Sequence, residues 1–141
     1  MRGRLDRRAR PAPPASHGTL APDVAREIDA TVHPLADRST LMELMNEGLA
    51  AAGVDSHEPV IHAGAAETAI VLAVAEGLVR TDQLEPGREG PVSTARPFSE
   101  GFRAITDNGV LGDPRHATAD AGEAILDRIT AAYVERIEAE R

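Results

Sequence analysis

Cysteine is absent from the 141 residues, which removes disulfides, thiolate nucleophiles and cysteine-bound zinc in one step. Lysine is absent as well. All 15 basic residues are arginine, so Schiff-base and lysine-nucleophile chemistry is excluded. Aromatic residues make up 2%, with two Phe, one Tyr and no Trp, too few to build a stacking platform for single-stranded nucleic acid. No apolar run approaches the ~18 uninterrupted residues of a membrane span. Nor does an apolar stretch follow the N-terminal arginines, as a secretory signal requires. A cytoplasmic protein is the expectation.

The hydrophobic 42% is therefore mostly Ala, Val, Leu and Ile, enough for one domain with a modest core. The formal net charge of -8 disfavours binding to a phosphate backbone. That charge is unevenly spread. The first ten residues hold Arg2, Arg4, Arg7, Arg8 and Arg10 against Asp6, and Pro11, Pro13 and Pro14 follow. Residues 1–18 read as a solvated, disordered arm, with a basic nucleic-acid or membrane-surface tail as the other reading. The domain is expected over residues 19–141.

From Pro22 the pattern is helical, with Val24, Ile28 and Val32 on one side until His33-Pro34. A second helix is predicted from the capping-box spacing Thr40-x-x-Glu43, with Leu41, Leu44, Met45, Gly48 and Leu49 on one face and Gly53 as its stop. A third is predicted from about Ala65 to Leu78, where Ile70, Val71, Leu72 and Val74 leave hardly any polar face, so burial is expected. Residues 81–97 form a long Pro/Gly-rich loop, "SEGFRAIT" adds one or two helical turns, and Asn108-Gly109 sits in a loop. The last helix is predicted from near Thr118 to about Ala139, with Thr118 and Asp120 as caps. Only "EPVIHA" and "GPVSTA" could be short strands.

The residues able to carry chemistry are His57, Glu58, His62, Glu67, Asp113 and His116. His62 and Glu67, five apart, converge only if His62 lies in the loop, Glu67 in the first helical turn, and Gly64 permits the bend. Spacing alone favours a hydrogen-bonded loop histidine and a first-turn surface carboxylate, with an active-site pair as the second reading. Asp113-Pro114 reads as a structural turn, and His116 as exposed.

Two segments carry a resemblance. "HAGAAET", His62 to Thr68, is similar to the His-Ala-Gly-x-x-Glu-Thr motif of the creatininase (creatinine amidohydrolase) family. "GVLGDPRHATADAGEAIL", Gly109 to Leu126, resembles that family's Gly-Val-x-Gly-Asp-Pro…Ala-Thr-Ala-x-x-Gly segment, in the same order, and the likeness extends from Ser39 to Ile137. It implies an α/β fold, a three-layer α/β/α sandwich, present here as a partial and mostly helical C-terminal piece. It also implies a metal-dependent hydrolase of an amide or cyclic-amide C–N bond, assembled as a homo-oligomer. Two divalent ions, Zn or Mn, would activate a water by lowering its pKa towards ~7.

Under that resemblance His62 is the proton donor and acceptor at the substrate, and Glu67 binds the metal or holds its water. His57 and Glu58 would mark a subgroup with its own small-molecule amide substrate, and Asp113 would stand near the site. The family's Glu-x-His-Gly-x-His-like and Gly-His-Gly-Gly-Asn-like segments have no counterpart here, so the site is expected to be incomplete as given. The alternative is a non-catalytic degenerate paralogue or an interaction subunit.

Overall fold

The computed structural model describes Glu27, residues 38–56, Glu58, residues 62–93 and residues 95–139. The chain divides into two units, Met1–Leu35 and Ala36–Arg141, and the helices and loops from Arg38 onward belong to the second. The arm expected over residues 1–18 lies outside the described residues, as does the helix expected from Pro22, apart from Glu27, which is helical.

Three helices carry the core: α1 (Arg38–Ala51), α2 (Ala65–Ala75) and, after the one-turn α3 (Arg96–Ser99), the long α4 (Ala119–Ala139). Helix α1 begins two residues before the expected capping box, so Thr40 lies inside its first turn and not at the cap. Its end follows the sequence. Gly53 takes φ 76, its N–H donates to the Ala50 carbonyl, and the Val54 N–H donates to the Leu49 carbonyl, both at 3.0 Å. This pairing satisfies the orphan carbonyls at the helix end. Val54 and Leu49 are both buried in the same cluster.

Helix α4 starts where Thr118 predicts, its hydroxyl accepting the Ala121 N–H at 3.1 Å. It packs across both other helices through small residues. A Cβ on Gly48 of α1 would stand 2.7 Å from the Ile125 Cα, and one on Gly122 would stand 2.8 Å from the Ala73 Cβ of α2. Backbones this close leave no room for side chains. The core between them is Met45, Leu49, Val54, Ala65, Ala66, Ala69, Ala121 and Ile125.

That close approach corrects the expectation for α2. Its buried face is Ala65, Ala66, Ala69 and Leu72, the small residues that allow α4 near. Ile70 is only partly buried against the core, Val71 and Val74 are exposed, the latter 66%, and Leu78, in the 3₁₀ turn that follows the helix, is 79% exposed.

Between α2 and α4 the chain runs through short 3₁₀ turns around a second cluster, Val92, Ile105 and Leu111, against which Phe102 packs. Of the two expected strands, "EPVIHA" contributes one pairing residue, His62, and the described part of "GPVSTA" contributes none. Residues 59–61 lie outside the described residues, and residues 90–93 are not a strand. The β-pairing among the described residues is a pair of isolated bridges, His62 to Leu111 and Leu111 to Arg88. The Leu111 N–H donates to the His62 carbonyl, and the Gly112 N–H to the Arg88 carbonyl, each at 2.9 Å. Asn108 staples this region by donating to the Pro86 carbonyl at 3.1 Å. No helix among the described residues is long and apolar enough to cross a membrane.

Candidate functional site

The first amides of any helix lack partners within it, and at α2 they are satisfied in an unusual way. The capping position is Gly64, which has no side chain to offer. The acceptor comes instead from Glu58, outside the helix. Its carboxylate takes the Ala65 N–H at 2.6 Å and the Ala66 N–H at 3.3 Å. The Glu58 main chain is held by Asn46 of α1. Its N–H donates to the Asn46 side-chain oxygen at 2.8 Å, and its carbonyl accepts from the Asn46 amide at 3.0 Å.

A second carboxylate serves the turn before the helix. Glu67, in the first turn of α2, accepts the Ala63 N–H at 2.7 Å. Ala63 has φ 54 and is the non-glycine residue of positive φ among those described, a conformation that costs about 1–3 kcal/mol and persists where surrounding contacts enforce it. His62 precedes it. Its carbonyl is fixed by Leu111, and its half-buried ring stacks on Phe102 with centroids 3.9 Å apart and planes at 27°. His62 thus lies in the loop and Glu67 in the first turn, as the spacing required. Their link is the Ala63 amide, not the imidazole.

A cleft of about 260 Å³ is lined by Glu58, Arg88, Leu111, Gly112, Asp113 and His116 among others; His62 is not on its wall, and Ala63 and Glu67 line a separate hollow with Thr68 and Val71. Burial pushes the Glu58 carboxyl above its ordinary 4.5 despite the two amides it accepts, and the charges of Glu67 and Asp113 push the same way. Asp113 is driven in the other direction, from 3.8 to about 2. The Arg115 side chain does most of this, bonded to the carboxylate at 2.6 and 2.9 Å. Asp113 also caps the Pro114–His116 turn by accepting the Arg115 N–H, and the exposed His116 stands 3.4 Å away. The turn role expected of Asp113 is therefore present, together with a place on the cleft wall.

The structure brings His62, Glu67 and Glu58 together around Ala63–Ala66 and sets Asp113 in the wall of the cleft that Glu58 also lines. His57 lies outside the described residues. Sequence reasoning misses Asn46, Phe102, Arg88 and Arg115. Asn46 is detectable as a polar residue within an otherwise apolar helix face, and Arg115 as a cation two residues from Asp113; Phe102 and Arg88 depend on long-range folding. Among the described residues no group of three or more His, Asp or Glu side chains converges as a metal-ligand set. These residues by themselves do not fit the dinuclear centre that the resemblance implies.

Comparison with known proteins bears on this geometry. A family model described as creatinine amidohydrolase matches residues 15–137. The chain is similar to the mycofactocin precursor peptide peptidase of Mycolicibacterium smegmatis, at 37% identity over 78 residues, 54% of this chain and 32% of the relative. It is also similar to the proteins so named of Mycobacterium ulcerans, at 37% identity with 54% and 31% covered, and Mycobacterium tuberculosis H37Rv, at 35% with the same coverage. The chain spans about a third of the length of these curated relatives. No solved structure matches it.

Proposed function

The chain belongs to the creatininase family, and from that premise we propose that it takes part in hydrolysis of an amide C–N bond, in a short peptide or a cyclic amide, with His62 exchanging a proton with the substrate. The observation that carries this reading is the strained turn at Ala63, locked by the Glu67 carboxylate. Such strain is characteristic of sites where a side chain must be held in one place. Phe102 covers one face of the imidazole and Leu111 fixes its main chain, so the ring edge is what remains for proton transfer. The peptide arm of the substrate class is supported by the names of the relatives.

The same proposal includes the family's three-layer α/β/α sandwich, supported by the pairing of His62, Leu111 and Arg88, and a homo-oligomer. It also includes a divalent metal, Zn or Mn, with Glu67 offering its second carboxylate oxygen as a ligand. Further ligands must come from outside the described residues. An interaction subunit without catalysis is the second reading, favoured by the exposed Val71 and Val74 of α2 and Leu78 of the 3₁₀ turn that follows it.

The test is hydrolysis of a panel of short peptides and cyclic amides by the full chain with Zn or Mn supplied, beside His62→Ala. Loss of a positioned acid–base group is expected to lower turnover by roughly 10²–10⁴-fold. Equal turnover by the two proteins would remove His62 from the chemistry. Silence from both across the panel would turn the assignment towards the interaction subunit.

A further inference from the structure

Among the described residues Glu58 is the most deeply buried ionisable side chain, 3% exposed, and the proton chemistry assigned to His62 does not use it. Three features converge on its carboxylate. It bonds the first two amides of α2. Its main chain is clamped to α1 through Asn46. And two glycines have given up their side chains to make room for it. A Cβ on Gly64 would overlap the Glu58 Oε1 and stand 2.6 Å from its Cδ; a Cβ on Gly112 would overlap the same oxygen and stand 3.1 Å from that carbon.

Those two glycines are not arbitrary positions. Gly64 follows His62 by two residues, and Gly112 follows Leu111, the residue that pairs with the His62 main chain. The carboxylate is therefore wedged between the two stretches of chain that hold the histidine. A Ser, Thr or Asp at position 64 would be the ordinary way to cap α2, but its Cβ would stand 2.7 Å from the Leu111 carbonyl oxygen and in the space of the Glu58 carboxylate, so the packing here admits only glycine and the cap comes from elsewhere. Glu58 ties three segments: its carboxylate meets α2 and Gly112, and its main chain meets α1 through Asn46. The tie is maintained although burial opposes the charged form and raises the carboxyl's pKa. Glu67 and Asp113 are the charges acting on it; Asp55, Arg88, Glu89 and His116 line the same cleft.

We infer that Glu58 is the positioning residue for His62: wedged between Gly64 and Gly112 and bonded to the Ala65 and Ala66 amides, it holds the Ala63 turn that sets the imidazole against Phe102. The inference rests on the proposal that His62 is the proton-transferring group, but its test is independent of turnover. Glu58→Gln keeps an oxygen for the Ala65 amide and turns an NH2 towards the Ala66 amide, donor against donor. Glu58→Asp keeps the charge one methylene short of its partners.

In the ¹⁵N,¹³C-labelled full chain, either variant is expected to speed exchange of the Ala66 amide by about tenfold or more. It is also expected to weaken the nuclear Overhauser contact between the His62 and Phe102 rings, with the methyl shifts of Leu49 and Ile125 unchanged. Ring contacts at wild-type strength in either variant, with those core methyls intact, would overturn the inference. Where turnover is measurable, kcat should fall about 10²-fold with KM little changed, the signature of a misplaced group. If the rings separate as expected while His62→Ala leaves hydrolysis untouched, the positioning stands and the assigned chemistry fails.

Discussion

A glycine within a motif invites explanation by flexibility, yet Gly112 is better explained by what lies against it. Its φ of 109 is a conformation that L side chains rarely adopt, and the Glu58 carboxylate occupies the space a Cβ would need. Both penalties fall on one substitution. Gly112→Ala must shift the backbone or expel Glu58 from the α2 N-terminus, and either route costs about 2–4 kcal/mol. Chemical denaturation should show that loss as a lower midpoint with an unchanged slope. A midpoint equal to wild type would mean that Glu58 can leave its wedge freely. Gly53, also of positive φ, has nothing within 4 Å of its absent Cβ, so Gly53→Ala meets the backbone penalty alone and provides the control.

At the scale of elements, the contact between α2 and α4 is set by residues with almost no side chain. Gly122→Ala would press a methyl against the Ala69 carbonyl and to 2.8 Å from the Ala73 Cβ, forcing the helices apart at a cost of about 1–3 kcal/mol. The gain in helix propensity from Gly to Ala, about 1 kcal/mol, works against this, so a net destabilisation in thermal melts is the informative sign. A stabilised variant would show that the two helices can separate without loss. What is legible in the sequence here is local. The Gly53 stop, the start of α4 at Thr118 and the start of α2 at Ala65 are all written in nearest-neighbour chemistry, whereas the end of α2 falls at Ala75, with a 3₁₀ turn over Glu76–Leu78 in place of the expected last helical turn. What is not legible depends on distance. In α2 every turn is apolar, so periodicity cannot say which face lies inward; the close approach of Gly122 decides it in favour of alanine. The capping box at Thr40 suggests a start that the helix passes by two residues. The placement of His62 in the loop and Glu67 in the first turn follows from spacing. The carboxylate that caps α2 does not, because Glu58 meets its amides seven and eight residues away across a break in the helical pattern.

Over the whole molecule the two cleft carboxylates pull the pH dependence of stability in opposite directions. Asp113 has a folded pKa below its unfolded value, about 2 against 3.8. Its contribution is complete above pH ~4 and is lost as pH falls towards 2, because the unfolded chain then binds the extra proton. Glu58 has a folded pKa above 4.5. The folded state holds that proton more tightly than the unfolded one, so stability declines as pH rises from about 4.5 through the raised value. The two windows adjoin, and the stability of this unit should pass its maximum near their junction rather than at neutrality. Asp113→Asn should flatten the acid side, between pH ~2 and 4, because it removes the charge that Arg115 stabilises while keeping an oxygen able to cap the Pro114–His116 turn. Glu58→Gln should flatten the decline above pH 4.5 and leave the acid side as it was. Melting temperatures from pH 2 to 8 for the three proteins test both signs at once. A Glu58→Gln curve parallel to wild type above pH 4.5 would show that the buried carboxylate does not carry the charge-burial cost that its surroundings impose.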